Sequence, residues 1–307
     1  MKLSLLLFAA LTTAFAGSSD QHKEDFHFTY TLVNGRLDVS GFNGSIEVTG
    51  WDTNTIEITG QKYAETPDQL RMVQVESTQE GNLVRVKATR PSGSNNGWNR
   101  CNCGARFVIK APRHTELPGL KSSNGSIKVQ DMDGAADIVT SNGAVRLARM
   151  RGAKISVRTS NGAIDLQSIE GSVTANTSNG GITVDAVKGS LNASTSNGGI
   201  RGRLSDTTTS DPIRLSTSNG PIDVRIDMLR NNDVIASTSN GSLTIRIPEG
   251  AGLRISATTS SHESITTDMP IQVRGTLSKH RLEGTVGSGG PLVQLSTSNG
   301  QIRIMRQ

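Results

Sequence analysis

The chain has 307 residues, of which 32 are basic and 27 acidic, giving a formal net charge of +5. Its basic residues are interspersed and are not clustered with aromatic ones, so the charge pattern argues against a nucleic-acid-binding protein. Aromatic residues make up only 3% of the chain, and none follows Phe107. The segment 108–307 therefore cannot form an ordinary globular core, which relies on large side chains to fill volume.

The first 16 residues are typical of a secretory signal peptide. Lys2 is followed by an apolar run from Leu3 to Ala14, and then by the small-residue site Ala14-Phe15-Ala16. This run is too short to remain as a membrane span, and no later segment approaches that length. We therefore expect an exported protein, periplasmic or extracellular, whose mature chain starts near Gly17.

Residues 17–117 are predicted to form a β-rich N-terminal cap region with one short helix. Alternating apolar and polar residues predict strands there, and Thr66 followed by Pro67 predicts the start of a helix that ends near Met72. We expect this aromatic-containing region to cover the open end of a repeat array, because terminal repeats must differ from internal ones. The predicted strands are Gly35–Gly41, Ser45–Gly50, Asn54–Gly60, Val73–Ser77, Leu83–Thr89 and Phe107–Pro112.

A long polar loop, residues 91–104, holds the two cysteines of the chain, Cys101 and Cys103. In an oxidising compartment we expect them to be oxidised, which favours a local disulfide that staples the loop. Two alternatives stay open at this point: a contact tip that uses Trp98 and Arg100, and an intermolecular disulfide.

Residues 118–307 carry a Ser-Asn-Gly repeat at nearly constant spacing. The asparagines are Asn124, Asn142, Asn161, Asn179, Asn197, Asn219, Asn240 and Asn299, and a degenerate Thr259-Ser260-Ser261-His262 divides the last, longest interval. A short fixed period means that each unit buries its apolar face only against its neighbours. We therefore predict an all-β fold, a parallel β-solenoid of about 18–22 residues per coil.

The parity of the strand that precedes each Asn-Gly places its threonine on the apolar side and the flanking serines outside. Stacked threonines could then pass hydroxyl hydrogen bonds along a column, and stacked asparagines could form an amide ladder, with glycine supplying a positive φ. The residues of this structural ladder are Thr159, Asn161, Thr177, Asn179, Thr195, Asn197, Thr217 and Asn219. Because Asn-Gly is also a strong hairpin signal, an antiparallel meander is the competing fold.

Three sequence features resemble the bacterial "putative adhesin" family of β-strand-repeat domains, a domain family of unknown function. They are the segment from Gly44 to Asp52, the strand ending Ala111-Pro112-Arg113, and the repeated Thr-Ser-Asn-Gly-x-Ile, which includes the terminal Gly289–Ile304. The likeness covers most of the mature chain. It implies a β-repeat fold and provides no catalytic residues to transfer.

We interpret the chain as an exported, non-enzymatic β-solenoid that serves as an adhesin or as a cell-envelope interaction or scaffold protein. The alternative is a carbohydrate-active β-helix enzyme, a polysaccharide lyase or hydrolase, but the sequence shows no clustered outward carboxylates for such chemistry. We expect no catalytic, cofactor-binding or metal-binding residues, and an envelope or surface partner of unknown identity. Self-association through the C-terminal edge, Gln301 to Gln307, is a further expectation, because only Arg303 and Arg306 guard that edge.

Overall fold

A computed structural model describes residues 21–90, 101–207, 211–260, 264–273 and 278–307. The predicted signal peptide, residues 1–16, lies outside these ranges. Within them the regular secondary structure is β-strand, apart from one short helix.

The N-terminal part contains seven strands and the helix, in the order β1 to β4, α1, β5 to β7. Thr66 caps the helix, since its hydroxyl accepts a hydrogen bond from the backbone N–H of Gln69 at 3.2 Å. The strand β1 is not among the sequence predictions, although Phe26, Phe28 and Tyr30 alternate within it. The bounds are β1 His22–Thr31, β2 Arg36–Ser40, β3 Ile46–Trp51, β4 Thr55–Ala64, α1 Pro67–Met72, β5 Gln74–Glu80, β6 Leu83–Thr89 and β7 Gly104–Pro112.

The repeat region continues with strands β8 to β24. Their bounds are β8 Glu116–Ser122, β9 Ile127–Gln130, β10 Ala136–Thr140, β11 Val145–Arg158, β12 Ile164–Asn176, β13 Ile182–Thr195, β14 Ile200–Asp206, β15 Ile213–Thr217, β16 Ile222–Ile226, β17 Val234–Thr238 and β18 Leu243–Ile247. At the C-terminal end they are β19 Leu253–Thr259, β20 Ile265–Thr267, β21 Ile271–Val273, β22 Arg281–Val286, β23 Leu292–Thr297 and β24 Ile302–Arg306.

Successive coils stack in parallel and in register, which confirms the predicted solenoid over the meander. Each coil contributes one strand to each of two faces. On the first face, which follows each Asn-Gly, Ile164 lies between Val145 and Ile182. On the second face, which precedes the next Asn-Gly, Ala193 lies between Ala175 and Leu215. The long strands β11, β12 and β13 run through both faces and turn the corner between them.

The thin core between the two faces is filled mainly by Ile, Val, Leu and Ala side chains, which is consistent with the lack of aromatic residues after Phe107. Rings occur only at the N-terminal end, where Phe26 lies 5.5 Å from Phe107 between ring centroids. There β4 pairs antiparallel with both β1 and β7, so the stacking direction changes at this end of the rod.

Parallel stacking extends into the N-terminal part. Ile46 of β3 pairs with Ile127 of β9, and Val39 of β2 pairs with Leu120 of β8. The strands β6 and β7 come later in the chain but lie outside β2 and β3. The proposed boundary between residues 117 and 118 stays a prediction, and the hydrogen-bonded stack is continuous across it.

The premise that Gln301 to Gln307 forms an open C-terminal edge is wrong, whereas self-association of the chain stays a prediction. The final strand, β24, pairs with β18 on one side and with β20 on the other, and β23 likewise lies between β17 and β19. The chain first builds the outer coil of β19 and β20, and only then returns to insert its last two strands beneath that coil. This insertion accounts for the long interval between Asn240 and Asn299, and it covers the edge that appeared exposed from sequence alone.

Candidate functional site: the asparagine corner and its serine face

Each predicted threonine points inward, and its hydroxyl donates to a glycine carbonyl of a neighbouring coil. The predicted hydroxyl-to-hydroxyl column is therefore wrong in its acceptor, which is the carbonyl oxygen of the glycine that follows an asparagine. The donor–acceptor pairs are Thr159 Oγ1 to Gly143 O at 3.0 Å, Thr177 to Gly162 at 2.9 Å, Thr195 to Gly180 at 2.8 Å and Thr217 to Gly198 at 2.8 Å. These bonds satisfy hydroxyls that are almost wholly buried.

The asparagines form a continuous amide ladder, in which each Nδ2 donates to the Oδ1 of the asparagine one coil before. The bonds from Asn161 to Asn142 and from Asn179 to Asn161 are each 2.6 Å long. The next two, from Asn197 to Asn179 and from Asn219 to Asn197, are 2.7 Å and 2.8 Å. An amide has donors on one atom and acceptor lone pairs on the other, so one residue type can continue such a ladder through the corner.

The ladder is longer than the repeat pattern indicates. It starts at Asn43, whose Oδ1 accepts from Asn124 at 2.6 Å, and it continues to Asn299, which donates to Asn240 at 2.9 Å. Asn43 was missed because Phe42 replaces the usual serine before it and because it lies far from Asn124 in sequence. The Asn43-Gly44 dipeptide was the available signal.

The glycine that follows each ladder asparagine is required by close approach between coils. The sequence predicts a positive φ at these glycines. From Asn124 onward, the glycines of the ladder, such as Gly162 and Gly180, do not have one. A Cβ built on Gly162 would lie only 1.8 Å from the carbonyl oxygen of Gly143. Stacked glycines therefore allow the backbones of adjacent coils to meet at the corner.

Outside the corner, the polar residues that flank each threonine, mostly serines, form two outward rows on the second face, the first exposed or half-buried and the second exposed. We name these rows the serine face. The first row contains Asn176, Ser194, Ser216, Ser237, Ser296 and Thr258, which are register partners in that spatial order. The second row contains Ser178, Ser196, Ser218, Ser239, Ser298 and Ser260, all of which are exposed.

The serine face is uncharged and regular. Its rows repeat once per coil, about every 4.8 Å, so six coils present hydroxyl and amide groups over roughly 24 Å. Charged side chains flank it: Arg158, paired with Asp137 at 3.1 Å, lies one coil before Asn176, and Arg214 lies in the adjacent row. The face can therefore offer many weak hydrogen bonds in a straight line.

Ion pairs occupy the opposite corner, where the first face bends into the second. Arg149 binds Asp131 through two hydrogen bonds of 2.7 Å and 2.8 Å, and Arg113 binds Asp52 at 2.6 Å. The hydrogen bond from Arg149 lowers the pKa of Asp131, and the one from Arg113 lowers the pKa of Asp52. Both carboxylates are thus held ionised by arginine, which suits a structural role better than the proton transfer that a hydrolase requires.

Cys101 and Cys103 are joined by a disulfide, with their Cα atoms 5.2 Å apart. Cys103 is buried against Ala64 and Val73, and its carbonyl accepts from Asn43 Nδ2 at 2.8 Å. The disulfide segment therefore adjoins the first member of the amide ladder. Trp98 and Arg100, the residues of the suggested contact tip, lie outside the described residues.

No group of three or more His, Cys, Asp or Glu side chains is placed to hold a metal ion in the part of the chain that the structure describes. Nor does any helix there have the length and apolar character needed to cross a membrane.

Comparisons with known proteins place this architecture in a family. No curated protein matches the chain. Two solved structures match it: a "putative cell adhesion protein" from Clostridium sporogenes, at 11% identity and a TM-score of 0.27, and a "putative adhesin" from Bacteroides fragilis, at 13% identity and a TM-score of 0.41. Each match covers 92% of this chain, and they cover 100% and 97% of the respective solved chains. The family model of the Toastrack DUF4097 domain matches residues 34–267, and the chain therefore belongs to the Toastrack DUF4097 family.

Proposed function

We propose that this is an exported, non-enzymatic β-solenoid that uses its serine face to bind a neutral polysaccharide of the cell envelope or cell surface. The observation that carries the proposal is the uncharged, outward double row of hydroxyl and amide side chains, mostly serines, that repeats in register along the rod. Export rests on the sequence of residues 1–16, and the name "putative adhesin" of a solved protein with a similar fold is compatible with a surface role.

The chemistry of the face favours an extended neutral polymer. Hydroxyl and amide groups both donate and accept hydrogen bonds, as the hydroxyl groups of a sugar chain do. Each single bond contributes little, because it replaces a bond to water. A polymer that repeats along the rod would make many such bonds at once, and the rigid coil spacing would spare the protein the entropy of ordering them.

A matched pair of substitutions tests this assignment. Ser194→Lys and Ser216→Lys place a long charged side chain on the serine face, whereas Thr183→Lys places the same side chain on the outward surface of the first face. Sedimentation with insoluble neutral envelope polysaccharides should show retention of the wild-type protein and of Thr183→Lys. Retention should fall at least about tenfold for the serine-face variants, equivalent to about 1.4 kcal/mol.

Equal retention of all variants would contradict the use of the serine face, and no retention of the wild-type protein would contradict the polysaccharide class. The same incubations distinguish the enzymatic alternative. Release of new reducing or unsaturated sugar ends in proportion to time would replace the binding assignment with a polysaccharide lyase or hydrolase.

A further inference from the structure

The chain carries the same dipeptide, Asn-Gly, in two contrasting environments. Along the corner, each asparagine belongs to the amide ladder. In the turn between β1 and β2, Asn34-Gly35 lies outside it. Asparagine before glycine is chemically labile, because glycine has no side chain to hinder attack of its backbone nitrogen on the asparagine carboxamide. The two environments therefore give one molecule both the reactive group and its internal control.

We propose that Asn34 is a site of spontaneous deamidation in the folded protein, and that the ladder protects the asparagines of the corner from the same reaction. In the reaction, the Gly35 nitrogen loses its proton to a base in solvent and bonds to Cγ of Asn34. The Cγ–Nδ2 bond breaks, and Nδ2 takes up a proton and leaves as ammonia. Water then opens the cyclic imide, which leaves aspartate or isoaspartate at position 34.

The first restraint in the ladder acts on the leaving group. Nδ2 of Asn179 donates to Oδ1 of Asn161, while its own Oδ1 accepts from Asn197. Turning the carboxamide toward the backbone nitrogen would break both bonds, and the two neighbouring amides would lose a partner each. Ring closure requires the reacting atoms in near-attack geometry, so these bonds raise its cost.

The second restraint acts on the nucleophile. The backbone N–H of Gly180 donates to Thr177 Oγ1 at 3.3 Å, and that of Gly162 donates to Thr159 Oγ1 at 3.2 Å. A Cβ built on Gly180 would meet the Gly162 carbonyl oxygen at 1.9 Å, so the glycine is also closely packed against the neighbouring coil. The buried threonine and the stacked glycines thus hold the nitrogen in place.

Asn34 lacks the side-chain hydrogen bonds of the first restraint, and no acceptor in the described ranges binds the Gly35 N–H. Crowding at the glycine is common to both environments, since Gly35 is buried and a Cβ built on it would lie 2.7 Å from the Asn82 carbonyl oxygen. Asn34 is exposed, its φ is 47°, and no hydrogen bond joins its side chain to another residue in the described ranges. It lies in the turn between β1 and β2. Strand β1 is an edge strand, because it pairs only with β4 in the described part of the chain. The turn therefore leaves the carboxamide without the bonds that hold the ladder asparagines, and the contrast between the two environments rests on those bonds and not on space at the glycine.

The test is a time course on the folded, full-length protein in mildly alkaline buffer, followed by peptide mapping with mass spectrometry. We expect Asn34 to convert at least about tenfold faster than Asn142, Asn161 or Asn179, equivalent to about 1.4 kcal/mol in activation free energy. In denaturant, where the ladder is absent, these positions should convert at similar rates. Equal rates in the folded protein would overturn the proposal, and so would conversion of the ladder positions before Asn34. Asn96-Gly97 lies outside the described residues, so its conversion is measured but is not included in the comparison with the ladder asparagines.

Two variants separate the site from its protection. Asn34→Gln removes the fast conversion, because the longer side chain closes a less favourable ring. Asn161→Ala deletes the acceptor of Asn179, so Asn179 should convert faster while Asn219, two coils further along, keeps its slow rate. An unchanged rate at Asn179 would contradict the protective role of the ladder, and the wild-type ratio decides the proposal independently of this variant.

Discussion

At the residue scale, the corner shows why the repeat keeps Thr, Asn and Gly together. Threonine supplies a hydroxyl to the glycine carbonyl of a neighbouring coil, asparagine continues the amide ladder, and glycine lets the two backbones approach. The alternation of the sequence was enough to place threonine inside and serine outside. It could not identify the acceptor of the threonine, because that carbonyl belongs to another coil and its distance depends on how tightly the coils stack.

Adjacent glycines provide a matched test of this close approach. A Cβ on Gly180 would lie 1.9 Å from the Gly162 carbonyl oxygen, whereas a Cβ on Gly181 would lie 3.4 Å from that of Gly199, an ordinary contact. We expect Gly180→Ala to lower the free energy of unfolding by about 3 kcal/mol or more, and Gly181→Ala to change it by less than about 1 kcal/mol. Urea unfolding measures both. Similar losses in the two variants would show that conformational preference, and not stacking, selects glycine here.

At the element scale, the terminal coil at each end of the rod is covered by strands from another part of the chain. The coil of β2 and β3 is covered by the later strands β6 and β7, and the coil of β23 and β24 is covered by the earlier strands β19 and β20. Strands near the start and the end of the described chain therefore lie inside the stack. Such an arrangement hides backbone donors and acceptors that an edge strand would expose.

Hydrogen exchange tests the placement of the last strand. Residues Ile302–Ile304 of β24 pair on both sides, so their amides should exchange slowly although they lie close to the C-terminal residue. The amides of β21, which pairs only with β22 in the described part, should exchange faster. Exchange of Ile302–Ile304 at the rate of a frayed chain end would refute the insertion.

The sequence allowed the strand class, the parallel stacking and the helix at Thr66 to be predicted, because each depends on local pattern or strict periodicity. It did not allow the order of coils at the two ends to be predicted. A long interval between Asn240 and Asn299 indicates that something intervenes, but spacing cannot tell whether the last coil follows the intervening segment or inserts beneath it. The alternation of inward and outward residues in each strand predicts the serine face. The ligand of that face depends on chemistry that the repeat does not specify.

At the scale of the whole molecule, ion pairs between coils contribute to stability in a pH-dependent way. Arg230 binds Asp206 through two hydrogen bonds of 2.8 Å and 3.0 Å, and the Asp206 side chain is only 18% exposed. The hydrogen bond from Arg230 lowers the pKa of Asp206. The stabilisation is therefore fully present above the ordinary pKa of aspartate, about 3.9, and is lost as the pH falls through the lower pKa of the folded state.

We expect Asp206→Asn to lower the free energy of unfolding by about 0.5–1 kcal/mol at neutral pH, in the upper range for a partly exposed pair. The difference from the wild-type protein should vanish as the pH falls well below about 4, where the wild-type carboxylate is protonated as well. Unfolding by urea at a series of pH values measures this. Asp185→Asn, at an exposed position on the first face, is the control. A difference that persists in acid would assign the effect to packing.

The central claim is that successive coils lie one above another in parallel register, because the ladder, the serine face and the protection of the corner all depend on it. Spin labels at Ser216→Cys and Ser237→Cys, register partners on neighbouring coils, test it most directly. Such partners are about 4.8 Å apart, so the spectrum should show strong spin–spin broadening. Labels at Ser216→Cys and Arg225→Cys lie on opposite faces of the rod and should show little spin–spin broadening. Absence of broadening in the first pair would contradict the stack.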